Sequence, residues 1–208
     1  MTPIELLGFP QSNFVWALRL LCAEKGAPCT VVPTRPRTPD LQAIHPLGKM
    51  PALRHGEVRL FESAAIAHYL DAVLPGPRLF PVDPLPLARV EQWVSFTNTE
   101  LDPSLIRAYV VGYMFPGTTD GTPNRTKIDA SLPQLQASLM LLDRVVGSGF
   151  LANDALSYAD LNLLPMLHYV RQFPEARGML QSLPSLTAYY ARHSARPTFQ
   201  ATIPPPMP

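Results

Sequence analysis

The first third of the chain contains short apolar runs separated by a helical repeat. Residues 4–9 are mostly apolar and stop at Pro10, which predicts a buried strand. From Asn13 the apolar residues recur at helical spacing, and a glycine and a proline at residues 26–28 predict the end of the helix. Residues 29–32 predict a second strand. A strand, a helix and a strand in this order form a βαβ unit with parallel strands.

Residues 51–74 carry a different pattern. Residues 51–54 and 58–61 predict two strands, and His55-Gly56 between them can form the tight reversal of a hairpin. Residues 63–74 predict a helix that ends at a Pro-Gly-Pro sequence. With a short helix near residues 40–44, the predicted order is β-α-β, α, β-β-α.

Strand patterns stop beyond Pro77, and the rest of the chain predicts helices only. The predicted helices cover residues 86–113, 127–146, 158–172 and 183–193. This change of class predicts a domain boundary, with an α/β domain at 1–76, a linker at 77–85 and an all-helical domain at 86–208. Glycines and prolines at residues 115–125 predict a flexible connection, and the proline-rich residues 203–208 predict an extended tail.

Composition excludes several classes of function. The chain has 17 basic and 16 acidic residues and no charge run, so a nucleic-acid-binding face is not expected. Cys22 and Cys29 are too few for a disulfide framework or a four-ligand zinc site, and the five histidines are scattered, so we expect no metal. We see no secretion signal and no apolar stretch of about 18 residues, and expect a cytoplasmic protein.

Two neighbouring motifs carry a family resemblance. Residues 45–53, HPLGKMPAL, and 60–66, LFESAAI, resemble the glutathione-site signature of the soluble glutathione transferases, most closely the serine-type phi class. The resemblance implies a thioredoxin-like domain that holds glutathione as co-substrate, followed by an all-α domain that shapes a second pocket. It also implies a cis Met50-Pro51 bond, with the backbone of Met50 pairing with the cysteinyl part of glutathione.

Glu62 and Ser63 stand where a strand gives way to a helix. The first N–H groups of a helix have no partner within the helix, so an anion is stabilised there. By the resemblance, the γ-glutamyl carboxylate of glutathione binds this helix N-terminus and the Ser63 hydroxyl, while Glu62 neutralises the α-ammonium group. The alternative is that Ser63 is only an N-cap and that Glu62 only complements the helix dipole.

Ser12 follows the first predicted strand, at the start of the first helix. By the resemblance its hydroxyl donates to the glutathione sulfur and stabilises the thiolate, which is the catalytic role. The alternatives are that Ser12 caps the helix, or that Gln11 or Asn13 donates the hydrogen bond instead.

Three positions differ from the pattern of the phi-like members. Pro36 and Arg37 stand where these carry a His-Lys pair that contacts the glycine carboxylate of glutathione, so Arg37 and Lys49 become the expected carboxylate partners. Leu47 stands where many relatives place a larger aromatic residue that inserts into a second subunit. A homodimer is still implied, through the helix after Glu62 and the helix from Pro86, with a smaller contact at Leu47.

The electrophile pocket is the least specific prediction. By the resemblance, Tyr109, Tyr113 and Met114 line it together with Pro10, although large apolar residues in a helix are as often core. Ser157 and Asp160 resemble the family's capping box, which is a structural motif. The implied function is a detoxifying transferase that directs the glutathione thiolate to an apolar electrophile. A glutathione-dependent isomerase or peroxidase, and a non-catalytic binding module, are the alternatives.

Overall fold

A mixed four-stranded sheet lies in the N-terminal part of the chain, in a computed structural model that describes residues 2–118 and 121–206. Its strand order is β2-β1-β3-β4, with β1 parallel to β2 and the other neighbours antiparallel. The register joins the end of β1 to the start of β3 and the end of β4 through Leu7, Ala52 and Phe61. The strands are β1 (Ile4–Gly8), β2 (Thr30–Pro33), β3 (Ala52–His55) and β4 (Val58–Phe61).

Three helices accompany this sheet and confirm the predicted order β-α-β, α, β-β-α. They are α1 (Asn13–Glu24), α2 (Pro39–Gln42) and α3 (Ser63–Val73). Helix α1 buries most of its apolar side chains, as its periodicity predicts. The reversal between β3 and β4 occupies Gly56 and Glu57, one residue later than predicted.

A buried ion pair fixes the ends of α1 and α3 to each other. Lys25 Nζ lies 2.9 Å from Asp71 Oδ1, and the two side chains are 1% and 2% exposed. Lys25 also donates to the carbonyls of Asp71 and Pro77, while the Asp71 carboxylate accepts from the N–H groups of Leu79 and Phe80. Each charge is therefore fully hydrogen-bonded, which is the condition under which burial of an ion pair is tolerated.

In the second unit, residues 83–194, every regular element among the described residues is helical. Its elements are α4 (Pro84–Phe96), a π-helical segment (Thr97–Val110), α5 (Val111–Met114), α6 (Arg125–Val145), a 3-10 turn (Val146–Ser148), α7 (Tyr158–Val170), α8 (Pro174–Leu180) and α9 (Pro184–Ser194). The first three follow one another without a break, where one helix at 86–113 was predicted. Sequence patterns missed α8 and the π-helical geometry.

The capping box at the start of α7 is present, as predicted. Asp160 is completely buried and accepts hydrogen bonds from the N–H groups of Ser157 and Leu151, at 2.9 and 2.8 Å, and from the Tyr189 hydroxyl at 2.9 Å. One carboxylate therefore connects the loop before α7, the helix itself and α9.

The C-terminal segment belongs with the first unit. This unit contains the chain up to Val82 and again from Ala195 onward, including α10 (Pro197–Thr202). The sequence had placed all of 86–208 in the helical domain, and α10 itself was missed. Of the predicted tail and connection, residues 207–208 and 119–120 lie outside the described residues. Within the described chain, each helix is too short or too polar to span a membrane.

Candidate active site

Three of the predicted site segments meet at one edge of the sheet. The loop with Ser12 leaves the end of β1, Met50-Pro51 enters β3, and Glu62-Ser63 leaves β4. Because Leu7, Ala52 and Phe61 are paired in register, these segments lie side by side at the same end of their strands. Segments that lie up to about fifty residues apart in the chain thus form one local cluster.

Gly8 allows the first two segments to approach closely. A Cβ atom added at Gly8 would lie 3.0 Å from Met50 Cβ and 2.8 Å from Val15 Cγ2, and the residue has a φ of +147°. Any side chain there would force β1 away from Met50. The glycine is therefore a requirement of the site's geometry.

Ser12 precedes α1 but does not cap it with its side chain. Its carbonyl accepts from the Trp16 N–H at 2.8 Å, and its own N–H donates to the Phe9 carbonyl. The helical bonds start at Trp16, so the first-turn N–H groups have no acceptor in the helix. The half-buried hydroxyl of Ser12 has no hydrogen-bond partner among residues 2–118 and 121–206, and the capping alternative is thus not what the structure contains.

The side chains of Gln11 and Asn13, on either side of Ser12, are less available to a ligand. The Gln11 side-chain amide donates to the carbonyls of Pro205 and Pro206, at 3.2 and 3.5 Å. Asn13 is 4% exposed. Of the three candidate donors, Ser12 is therefore the one whose side chain is accessible and has no partner in the described chain.

The Met50-Pro51 bond is cis, as the resemblance implies. Met50 is half-buried and stands before the first residue of β3, Ala52. In the described part of the chain its N–H and carbonyl make no hydrogen bond to another residue. A backbone with free hydrogen-bonding groups at a sheet edge can pair with an extended, peptide-like ligand.

Helix α3 begins at Ser63, with Glu62 as the flanking residue at a φ of +68°. Ser63 is therefore the first helical residue and not the N-cap, in contrast to the alternative considered from sequence. The first helical hydrogen bond runs from the Ile66 N–H to the Glu62 carbonyl at 2.9 Å, so the N–H groups before Ile66 have no helical acceptor. The buried Ser63 hydroxyl adds a donor at this anion-stabilising end.

His45 is the first residue of the HPLGKMPAL motif, and the sequence alone indicated no role for it. It is 6% exposed, its Nδ1 accepts from the Leu47 N–H at 3.0 Å, and its Nε2 lies 3.8 Å from Glu62 Oε1. Its ring also packs on Phe61 with centroids 4.9 Å apart. Since Nδ1 accepts, the neutral ring carries its proton on Nε2, on the side of the carboxylate. The His45 Nε2–H thus faces the Glu62 carboxylate, at a distance longer than a direct hydrogen bond.

Arg37 and Lys49 are both exposed, and a backbone bond ties their segments together. The Arg37 N–H donates to the Gly48 carbonyl at 2.8 Å, and Arg37 has a φ of +62°. A Cβ added at Gly48 would lie 2.8 Å from Arg37 Cα. Both cationic side chains are thus available to solvent, beside the segment that leads to Met50.

Tyr109, Tyr113 and Met114 lie in the second unit, where Glu175 organises the two tyrosines. Its carboxylate accepts from the hydroxyls of Tyr109 and Tyr113, at 2.9 and 2.5 Å, and from Arg125 at 2.6 Å. Burial raises the pKa of Glu175, but the hydrogen bonds from Tyr113 and Arg125 outweigh it and lower the pKa from 4.5 to about 2. Tyr109 is completely buried, whereas Tyr113 and Met114 are half-buried. The sequence could not indicate Glu175.

The structure groups no three His, Cys, Asp or Glu side chains into a metal site within residues 2–118 and 121–206. Cys22 and Cys29 are free thiols, and Cys22 is buried. The polar groups at the sheet edge are hydroxyls, backbone donors and one carboxylate, which suit a zwitterionic peptide.

Comparisons with known proteins identify the family of the chain. Residues 6–78 match the N-terminal domain of glutathione S-transferases, and residues 107–201 match their C-terminal domain. Glutathione S-transferase 3 of Zea mays is 30% identical over 99% of this chain and 98% of its own. Glutathione transferase F7 of Populus trichocarpa is 26% identical, with a TM-score of 0.84 over 96% of this chain and 97% of its own. Glutathione S-transferase I from maize, solved with an atrazine glutathione conjugate, is 25% identical, with a TM-score of 0.84 over 96% of both chains. The chain belongs to the glutathione S-transferase family.

Proposed function

We propose that this chain ionises glutathione at Ser12 and transfers the thiolate to an apolar electrophile. The observation that carries the proposal is the Ser12 hydroxyl, which does not cap α1 and lies on the sheet edge shared with Met50 and Ser63. Related transferases are solved with lactoylglutathione and with an atrazine glutathione conjugate, which supports the same co-substrate here.

The γ-glutamyl group and the cysteinyl unit of glutathione bind different residues. The γ-glutamyl carboxylate binds the N-terminus of α3 and the Ser63 hydroxyl, while Glu62, which faces His45, neutralises the α-ammonium group. The backbone of Met50 pairs with the cysteinyl unit as an added strand. This orientation directs the sulfur toward the loop that carries Ser12.

The glycine carboxylate of glutathione binds Arg37 and Lys49. Both side chains are exposed cations, and the bond between Arg37 and Gly48 keeps their segments adjacent. Because exposed ion pairs contribute only about 0–1 kcal/mol each, this end adds orientation more than affinity.

Ser12 supplies the catalytic hydrogen bond. A free thiol has a pKa near about 8.5, and each unit of depression corresponds to roughly 1.4 kcal/mol. The Ser12 hydroxyl and the positive end of α1 both favour the anion, so no general base is needed. The thiol proton passes to water. The thiolate sulfur then forms a carbon–sulfur bond with the electrophile, and the leaving group departs with the electron pair of the bond that breaks.

The electrophile contacts apolar side chains that carry little specificity of their own. In the first unit Pro10 beside Ser12 supplies apolar surface, and in the second unit the half-buried Tyr113 and Met114 supply it. Tyr109 is completely buried and its hydroxyl donates to Glu175. Its ring packs against that of Tyr113, with centroids 5.6 Å apart, and so supports Tyr113.

The active form is a cytoplasmic homodimer with a role in detoxification. Leu47 is 64% exposed and Phe61 38% exposed, and both lie beside His45 at the glutathione site. Large exposed apolar side chains next to one another suit a subunit contact. Leu47 inserts into the second subunit in the place of a larger aromatic residue.

Calorimetric titration with glutathione, combined with turnover of a generic aryl halide, tests the proposal. The unaltered chain is expected to bind glutathione saturably, Ser63→Ala to weaken that binding about tenfold, and Ser12→Ala to lower turnover by about 100-fold with little change in Kd. Ser182→Ala, which removes an exposed hydroxyl in the second unit, is the matched control. If titration with millimolar glutathione gives no heat and no turnover is detected, the proposal is refuted and a non-catalytic module is favoured.

A further inference from the structure

A pocket in the second unit lies where three consecutive helices meet. Its volume is about 200 Å³, and its walls come from the end of α7, from α8 and from the first two turns of α9. The Thr187 hydroxyl donates to the Leu180 carbonyl at 3.1 Å and so joins α9 to the end of α8. All residues that line the pocket fall between 167 and 190, so it shares none with the glutathione site or with Tyr113 and Met114.

Apolar side chains form most of the wall. Leu167 and Leu186 are buried, and Leu180 is half-buried. The buried ring of Tyr190 adds an aromatic surface. A dry cavity of about 150 Å³ in another protein binds benzene, so a pocket of about 200 Å³ admits one aromatic ring or a short acyl chain.

Two exposed arginines, Arg171 and Arg177, complete the wall. The Arg171 guanidinium lies over the Tyr190 ring, with Cζ 4.1 Å from the ring centroid. The Tyr190 hydroxyl is in turn hydrogen-bonded to His168 Nδ1 at 2.8 Å, so this stacked arrangement is fixed. Among the described residues, neither arginine forms an ion pair with a carboxylate. Each guanidinium therefore keeps charged donors that can bind an anion.

The carboxylates near the pocket in the chain are engaged by other groups. Glu175, two residues before Arg177, accepts from Arg125 at 2.6 Å and from two tyrosine hydroxyls. Asp143 accepts from the Leu186 N–H at 2.8 Å, in the first turn of α9, where the positive end of the helix offsets its charge. The two arginines thus leave the pocket with a net positive charge.

We propose that this pocket is a second ligand site, which binds a small organic anion with an apolar body, such as an aryl or short-chain carboxylate. The carboxylate binds Arg177 and Arg171, and the apolar body packs among the three leucines. A neutral ligand of the same shape lacks the charged hydrogen bonds, and a much larger one exceeds the volume. The site uses neither Ser12 nor glutathione, so the inference does not depend on the proposed function.

The probe is 4-phenylbutyrate, which has one ring, a short chain and one carboxylate. Ligand-observed NMR titration of the full chain should give saturable binding with a Kd of about 1 mM or lower, as expected for a ligand of about twelve non-hydrogen atoms. The alcohol 4-phenylbutan-1-ol has the same apolar body without the charge. It should bind at least about tenfold more weakly.

Three exposed positions supply the variants. Arg177→Gln removes one charged donor and should weaken binding of the probe about tenfold. Thr187→Glu places a carboxylate in the wall and should weaken binding further. Arg144→Gln, in the last turn of α6, is the matched control, because it removes the same charge from a residue that does not line the pocket. Its Kd should stay within about twofold of the unaltered chain, and circular dichroism verifies that each variant is folded.

Competition with S-hexylglutathione separates the pocket from the candidate active site. Probe binding that persists at saturating S-hexylglutathione and falls in Arg177→Gln supports the pocket. If S-hexylglutathione displaces the probe and Arg177→Gln leaves the Kd unchanged, the probe binds at the electrophile side and the inference is overturned. Equal Kd values for the acid and the alcohol, or no saturation up to about 10 mM probe, also overturn it. A chain that binds no S-hexylglutathione contradicts the proposed function, while the variants still decide the pocket.

Discussion

Replacing Glu175 by Gln should destabilise the second unit in a pH-dependent way. The hydrogen bonds from Tyr113 and Arg125 are strong only to the ionised carboxylate, and they lower its pKa from 4.5 to about 2 despite partial burial. A shift of this size corresponds to an upper bound of about 3 kcal/mol. Because Arg125 is 52% exposed and screened by water, we expect about 2 kcal/mol at neutral pH.

The sign of the pH dependence follows from the direction of the shift. The pKa of Glu175 is lower in the folded state, so its stabilisation is fully present above about pH 4.5 and disappears as the pH falls toward about 2. Gln resembles the protonated side chain and has no such dependence. The difference in free energy of unfolding between the two proteins should therefore be largest at neutral pH and shrink below about pH 4.5.

Urea unfolding at a series of pH values from 7 downward measures this difference. Glu57→Gln, at an exposed turn in the first unit, is the control and should match the unaltered protein throughout. A difference for Glu175→Gln that stays constant between pH 7 and pH 3 would refute the argument, since the loss would then be one of packing. The same variant should raise KM for the electrophile and leave the Kd for glutathione unchanged, because both tyrosines lose their anchor.

Other substitutions test further contacts. Lys25→Met should lower the free energy of unfolding, measured in urea, by about 3–5 kcal/mol, because it leaves the Asp71 carboxylate buried without its cation. A loss below about 1 kcal/mol would contradict this. His45→Asn should weaken glutathione binding about threefold in calorimetry, because the Glu62 carboxylate loses the ring N–H that faces it. If His55→Asn, at the far end of β3, weakens binding equally, His45 has no special role. Asp160→Asn should lower the free energy of unfolding by about 3 kcal/mol, because several buried donors lose a carboxylate acceptor. An unchanged Tm in thermal unfolding would contradict this prediction.

The order of elements was predictable because each signal was local. Apolar runs, helical spacing and the glycines and prolines between them specified the strands and the long helices to within a few residues. Helices α8 and α10 were missed because they contain 7 and 6 residues, too few to show a period. The π-helical geometry of the segment Thr97–Val110 also left no pattern that could be recognised in advance.

The site was predictable to the extent that it consists of contiguous motifs. The cis bond before Pro51 followed from the resemblance, and the position of Ser12 followed from the strand before it. The start of α3 at Ser63 agrees with the predicted helix at 63–74, although a serine is a good N-cap by propensity. The sequence did not indicate that Glu62 adopts a positive φ. The bond between Gln11 and Pro205 joins residues 194 positions apart, and no local pattern reports such a contact.

The packing of α10 on α1 has a consequence for the order in which the protein acquires its structure during synthesis. The first unit cannot be completed when its sheet leaves the ribosome, because the partner of Trp16 is translated only after the whole helical unit. Until then the Trp16 indole lacks its contacts with Phe199 and Thr202. Closure must bring together segments separated by the second unit, at an entropic cost that grows slowly with loop length. A fragment ending at residue 82 should therefore be prone to aggregate, whereas the same fragment supplied with a peptide of residues 195–206 should be more soluble.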